Sequence, residues 1–146
     1  MTSIELQLCD IQGRLFKLTV RRGIGSAEFI KVFMKSATAK ALDSTYNRMQ
    51  WAGEEYLLEE VVDEAGDGFE KLGEVYAEEQ IYWIGYIYRY WHYVTGESSK
   101  EIYKQAPVKT MKQNYARLYM RTPEEVIEVL KRNDSVATLW YQDDYD

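Results

Sequence analysis

The segment Gln80-Ile81-Tyr82-Trp83-Ile84-Gly85-Tyr86-Ile87-Tyr88-Arg89-Tyr90-Trp91-His92-Tyr93-Val94 constrains the fold more than any other part of this chain. Ile84, Ile87, Tyr88, Trp91 and Val94 recur at steps of three and four, the period of an α-helix. Trp83, Tyr86 and Tyr90 widen that stripe until much of the circumference is adhesive, so the helix needs neighbours on several sides and belongs at the centre of an assembly. Thr95-Gly96 ends it, because glycine enters the left-handed conformation that follows a last helical turn. Ser98 or Ser99 then offers an N-cap for a short segment that carries Ile102 and Tyr103 and stops before Pro107.

The flanking segments follow the same period. Leu6, Cys9, Gly13, Phe16 and Val20 mark one helical face, while β-branched Thr19 and Val20 leave a hairpin as the alternative. Ser26 is read as the N-cap of a helix whose face is Phe29, Ile30, Phe33, Met34, Ala37 and Ala41, ending near Asp43 or Ser44. Tyr46–Trp51 reads as a connection. A third helix carries Trp51, Tyr56, Leu58, Val61, Val62 and Ala65 inward, with Glu54, Glu55, Glu59 and Glu60 on its wet side, until Gly66-Asp67-Gly68 turns the chain. A short element from Phe69 to Tyr76 follows.

Met111, Tyr115, Leu118 and Tyr119 predict a helix ending near Arg121. Thr122-Pro123 with Glu125 supplies an N-cap, a proline at the first helical position and capping-box spacing ahead of Val126, Ile127, Val129 and Leu130. The expected fold is all-α, an irregular single-domain bundle of five to seven helices over residues 1–132, followed by an acidic aromatic tail over 133–146.

Charge and length bound the function. The 146 residues carry a formal charge of -6, distributed as +4 over 1–50, -10 over 51–102, +4 over 103–132 and -4 over 133–146. Attraction between blocks favours compaction, and the overall sign disfavours nucleic-acid backbones and anionic membranes. Arg14, Lys17, Arg21 and Arg22, with Lys104, Lys109, Lys112 and Arg117, form a basic patch only if the fold joins them, and their spacing identifies no base-reading module. The single cysteine, Cys9, excludes an internal disulfide, and its apolar neighbours predict a buried thiol rather than a nucleophile. With no apolar run of membrane-spanning length and no signal-like start, a cytoplasmic protein is expected.

Three constellations carry candidate chemistry. Arg89 and His92 lie three residues apart on the central helix, where a guanidinium can hold phosphate and an imidazole can move a proton, but the same pair can equally snorkel and pack. The pairs Glu54/Glu55 and Glu59/Glu60 offer oxygen ligands but read as a solvated face, and one histidine cannot complete a bundle di-metal site. Gly23-Ile24-Gly25-Ser26 lacks the spacing of a phosphate-binding loop. No cofactor and no metal are therefore expected. Aromatic anchors with a charged rim suit a protein interface, and Tyr86, Arg89, Tyr90, Trp140 and Tyr141 are the expected partner-binding residues. A homo-oligomer would also hide aromatic area, although nothing here sets its symmetry.

Phe29-Ile30-Lys31-Val32-Phe33-Met34-Lys35-Ser36, Ser44-Thr45-Tyr46-Asn47-Arg48, Gln50-Trp51-Ala52-Gly53-Glu54-Glu55-Tyr56 and Tyr86-Ile87-Tyr88-Arg89-Tyr90-Trp91 together resemble a small bacterial protein family without a defined activity, found beside toxin-like genes in Gram-positive bacteria. The resemblance spans residues 26–132. It implies an antitoxin or accessory role through a protein partner, a nearby toxin among the options, and transfers no catalytic residue. A protein-interaction module is the leading expectation. The alternatives are a small phosphate-ester or nucleotide-processing enzyme using Arg89 and His92, and a nucleic-acid-associated regulator.

Overall fold

The computed structural model describes residues 1–44, 52–69 and 73–140, apart from the side chains of 67, 68 and 133–140. Among the described residues there are eight α-helices and no strand: α1 Ser3–Arg21, α2 Ser26–Met34, α3 Ala37–Asp43, α4 Glu54–Ala65, α5 Glu78–Thr95, α6 Ser99–Gln105, α7 Val108–Leu118 and α8 Pro123–Trp140, with a 3-10 turn at Gly66–Phe69. The architecture is the expected all-α irregular single-domain bundle, with eight helices among the described residues where the sequence predicts five to seven.

The aromatic segment is α5, and α1 packs along it more extensively than any other pair of helices. Lys17 meets Glu78 while Gln12 meets Arg89, so the two run antiparallel. Their close approach needs Gly85, where an added Cβ would lie 2.8 Å from both the Gln12 carbonyl oxygen and Phe16 Cγ. A capping box between Thr2 and Glu5 starts α1, which settles the helix-or-hairpin question. Its buried residues are Leu8, Cys9, Gln12, Gly13, Leu15, Phe16 and Thr19, whereas Leu6 is exposed. The polar Gln12 and Thr19 turn inward because each finds a buried acceptor, the Gly85 and Phe16 carbonyls respectively.

The long helix expected over Ser26–Ala41 is two helices. Lys35 closes α2, and Ser36 caps α3 by accepting from the Ala39 N–H at 3.0 Å while donating to the Phe33 carbonyl at 2.6 Å. The Glu64 carboxylate of α4 accepts from the Ala37 and Thr38 amides, where an anion complements the helix-terminal charge. Ser26 does not cap α2. Gly25 occupies the cap position, and the Ser26 hydroxyl instead accepts from the Tyr76 N–H at 2.9 Å while its own amide donates to the Glu74 carbonyl. Residues fifty apart are thereby stitched together.

Phe16 stands edge-on to Phe29 and Phe33 with centroids 5.3 Å apart, at the junction of α1 and α2, and Tyr88 reaches the same cluster from α5. On α4 the inward residues are Leu57, Leu58 and Val61, with Tyr56 and Val62 facing out. Gly96 ends α5 at φ 77°, and the Ser98/Glu101 capping box starts α6, as the turn residues predict. Val94 is exposed, so the buried stripe of α5 stops at Trp91. Thr122 Oγ1 accepts from the Glu125 N–H at 3.3 Å at the start of α8. That helix continues to Trp140 instead of ending near Arg132, since residues 133–140 hold no glycine or proline to break it.

Candidate functional site

Arg89 and His92 converge with Asp43, which ends α3, and Ser99, which begins α6. Arg89 Nη1 donates to Asp43 Oδ1 at 2.7 Å, Nη2 donates to Ser99 Oγ at 3.2 Å, and Nε donates to Gln12 Oε1 at 2.8 Å. Ser99 returns its hydroxyl to Asp43 Oδ1 at 2.8 Å and its amide to Oδ2 at 2.9 Å. Gln12 completes the set by donating from Nε2 to the Gly85 carbonyl at 3.0 Å. The carboxylate and guanidinium are thus hydrogen-bonded by four separate helices, the condition under which a charge pair tolerates a low-dielectric surrounding.

The cluster faces inward. Side-chain exposure is 2% for Arg89, 12% for Asp43 and 13% for His92. His92 Nδ1 lies 2.7 Å from the Glu97 carbonyl, an acceptor only, so Nδ1 carries the proton; Asp43 Oδ1, at 3.7 Å, is beyond hydrogen-bond reach. This arrangement corrects the expectation for Arg89, which does not snorkel and does not present its guanidinium to a partner, because its charge is held by the Asp43 carboxylate. The pair sits at an interior junction of helices.

The sequence reading missed Asp43, taken there as a helix stop, and Ser99, taken only as a candidate cap. A signal was present: an arginine amid aromatics, with no carboxylate in its own helix's neighbouring turns, requires a buried acid from elsewhere in the chain.

Tyr82, Tyr86 and Tyr90 form a ladder along α5 that reaches α1 at one end and α8 at the other, with centroids 6.1 and 6.0 Å apart. The Tyr82 hydroxyl donates to Asp10 of α1, and the Tyr90 hydroxyl donates to Glu124 of α8. Burial, then the bond to Glu124, pushes the Tyr90 phenol up to about 12, and burial with the Asp10 bond raises Tyr82 as well. Tyr90 is mostly covered, whereas Tyr86 is half-buried at the middle of the ladder. Beside it Trp83 meets Tyr115 edge-on at 5.4 Å, and Tyr115 stacks on Tyr119 at 5.2 Å. Tyr119 and Met120 project from the turn after α7, at 49% and 80% exposure. Of the remaining partner-binding expectations, Trp140 lies in α8 with its side chain outside those described, and Tyr141 lies outside the described residues.

A second polar knot fastens α8. Lys131 donates to Glu97 Oε1 at 2.8 Å and to Gln105 Oε1 at 3.0 Å, and it stands 5.6 Å over the Trp91 ring, whose Nε1–H donates to the same Glu97 oxygen at 2.9 Å. Burial alone would raise Glu97, but donors from Lys131, Trp91 and Gln105 outweigh it and hold the carboxyl at about 2.

The other candidates take structural places. Cys9 is fully buried, which pushes its thiol up to about 12. Arg14 pairs with Asp10 and Glu54, while Lys17 and Arg21 both approach Glu78, so the first basic run is largely spent on internal acids. Among the described residues no three His, Cys, Asp or Glu side chains gather as metal ligands, and no helix is long and apolar enough to cross a membrane. Comparison with family models, with curated proteins and with solved structures gave no significant match.

Proposed function

We propose that the chain is a protein-interaction module that meets its partner with the outer face of α5 around Tyr86, flanked by Tyr119 and Met120. The observation that carries this reading is the contrast between two clusters. The Arg89 side chain bonds to Gln12, Asp43 and Ser99 in the interior, whereas Tyr86 stays half-buried at the middle of the tyrosine ladder and Tyr119 and Met120 are exposed. Aromatic anchors with a polar rim are the usual energetic centre of an interface. Toxin neutralisation, implied by the resemblance over 26–132, is the narrowest form of this role.

An enzyme using Arg89 and His92 would first have to free a guanidinium that three partners hold in the interior. For a nucleic-acid regulator, Arg14, Lys17 and Arg21 are engaged with acids and the basic spacing identifies no base-reading module. The interaction reading uses the surface as it stands.

Affinity purification of the full chain from its native host tests the proposal. Recovery of one stoichiometric partner, lost on Tyr86→Ala and Tyr119→Ala with helical content unchanged, is the expected result. A partner retained equally by both variants, or no stoichiometric partner at all, overturns it.

A further inference from the structure

On the other side of α5 lies a surface of opposite chemistry. Tyr86 and Tyr88 are two residues apart, about 200° round the helix. Tyr88 points to the side where α2, α3 and α6 pack, with its hydroxyl donating to the Ala106 carbonyl. Lys31 and Lys35 lie one turn apart along and just beyond α2, Lys40 is on α3, and Lys100 and Lys104 are one turn apart on α6; all five are exposed. The three helices touch one another, and Lys35 Nζ stands 5.7 Å over the Tyr103 ring, beside Lys104.

Among the described residues none of these five lysines is ion-paired, nor are Arg22, Arg117 and Arg121, while Arg14, Lys17, Arg21, Arg89, Lys112, Lys131 and Arg132 are. Of the nearby acids, Asp43 is neutralised by Arg89, Glu64 holds the start of α3, and Glu101, in its capping box, attracts Lys104. Within a chain of net charge -6, these five lysines outnumber the carboxylates beside them, Glu101 and Glu64, which keep their charge.

We infer that this lysine face is a docking surface for an acidic polypeptide segment, separate from the tyrosine face and independent of it. A polypeptide fits better than a nucleic acid for two reasons. Among the described residues, α2, α3 and α6 carry no arginine, and the ring beside the lysines, Tyr103, is buried and offers no face on which a base can stack. The acidic outer side of α4 and the overall charge repel a long polyanion, whereas a short acidic segment meets only the local field.

Fluorescence anisotropy of the full chain with labelled poly-L-glutamate, and with single-stranded oligo-dT as the competing probe, tests the assignment at low and physiological salt. Saturable binding of polyglutamate that weakens with salt, about tenfold weaker for Lys100→Glu/Lys104→Glu and unchanged for Lys112→Gln, is expected. Should the charge-reversed variant lose its helical signal, Lys31→Gln/Lys40→Gln reads the same face with about a threefold loss. Absence of saturable polyglutamate binding, equal binding by a folded lysine variant and the wild type, or tighter binding of oligo-dT overturns the inference. None of these results bears on Tyr86, whose role is scored by the native complex alone.

Discussion

Arg89 Nη1 and Asp43 Oδ1 sit 2.7 Å apart although forty-six residues separate them, and the contact joins the end of α3 to the middle of α5. Ser99 bonds to both partners, so α6 is held at the same point.

Asp43→Ala should therefore strip the guanidinium of its counter-charge without opening a route to water. A loss of about 3–5 kcal/mol is expected by urea denaturation, the cost of leaving one buried partner alone. The double variant Arg89→Met/Asp43→Ala should lose less than the two single variants added together. Strict additivity would mean the charges do not interact.

Gly85→Ala should behave against helix propensity. In an open helix interior alanine gains about 1 kcal/mol over glycine. Here the new methyl would meet the Gln12 carbonyl and the Phe16 ring, so α1 must move away and about 1–3 kcal/mol is lost instead. A raised melting temperature for this variant would contradict the close helix approach.

Acid should loosen the attachment of α8. Glu97 titrates at about 2 in the folded chain against an ordinary value of 4.5, so its contribution is complete above the unfolded value and is lost as pH falls from about 4.5 towards 2. Stability curves of wild type and Glu97→Gln should differ by roughly 2 kcal/mol near neutrality and converge across that interval. Parallel curves down to pH 2 would remove Glu97 from the acid response.

Cys9 should resist thiol reagents. With its thiol raised to about 12 by burial, the native protein at pH 8 should react with an aromatic disulfide reagent only as fast as it opens. Rapid stoichiometric labelling without denaturant would contradict the buried placement.

Periodicity made most of the fold legible because helices report their buried side every three or four residues: α5, its Gly96 terminus and the Thr122 start of α8 all follow from neighbouring residues. What escaped depends on distant partners. Ser26 reads as a cap until Tyr76 claims its hydroxyl, and Ser36 starts a new helix inside a stretch whose Phe29–Ala41 face keeps one helical period. Arg89 reads as a surface residue for the same reason, since its acid and its serine come from other helices. Tyr86 could be placed on a broad aromatic face, but only the positions of α1 and α8 decide that it stays half-buried.

The antiparallel seating of α1 on α5 sets a timetable for synthesis. Roughly eighty residues separate Arg21 from Ser99, so a ribosome adding about 5–20 residues per second leaves α1 without its principal neighbour for roughly 4–16 s. During that interval Leu15 and Phe16 are available to nascent-chain chaperones, and a pause in translation before α5 emerges would prolong their exposure.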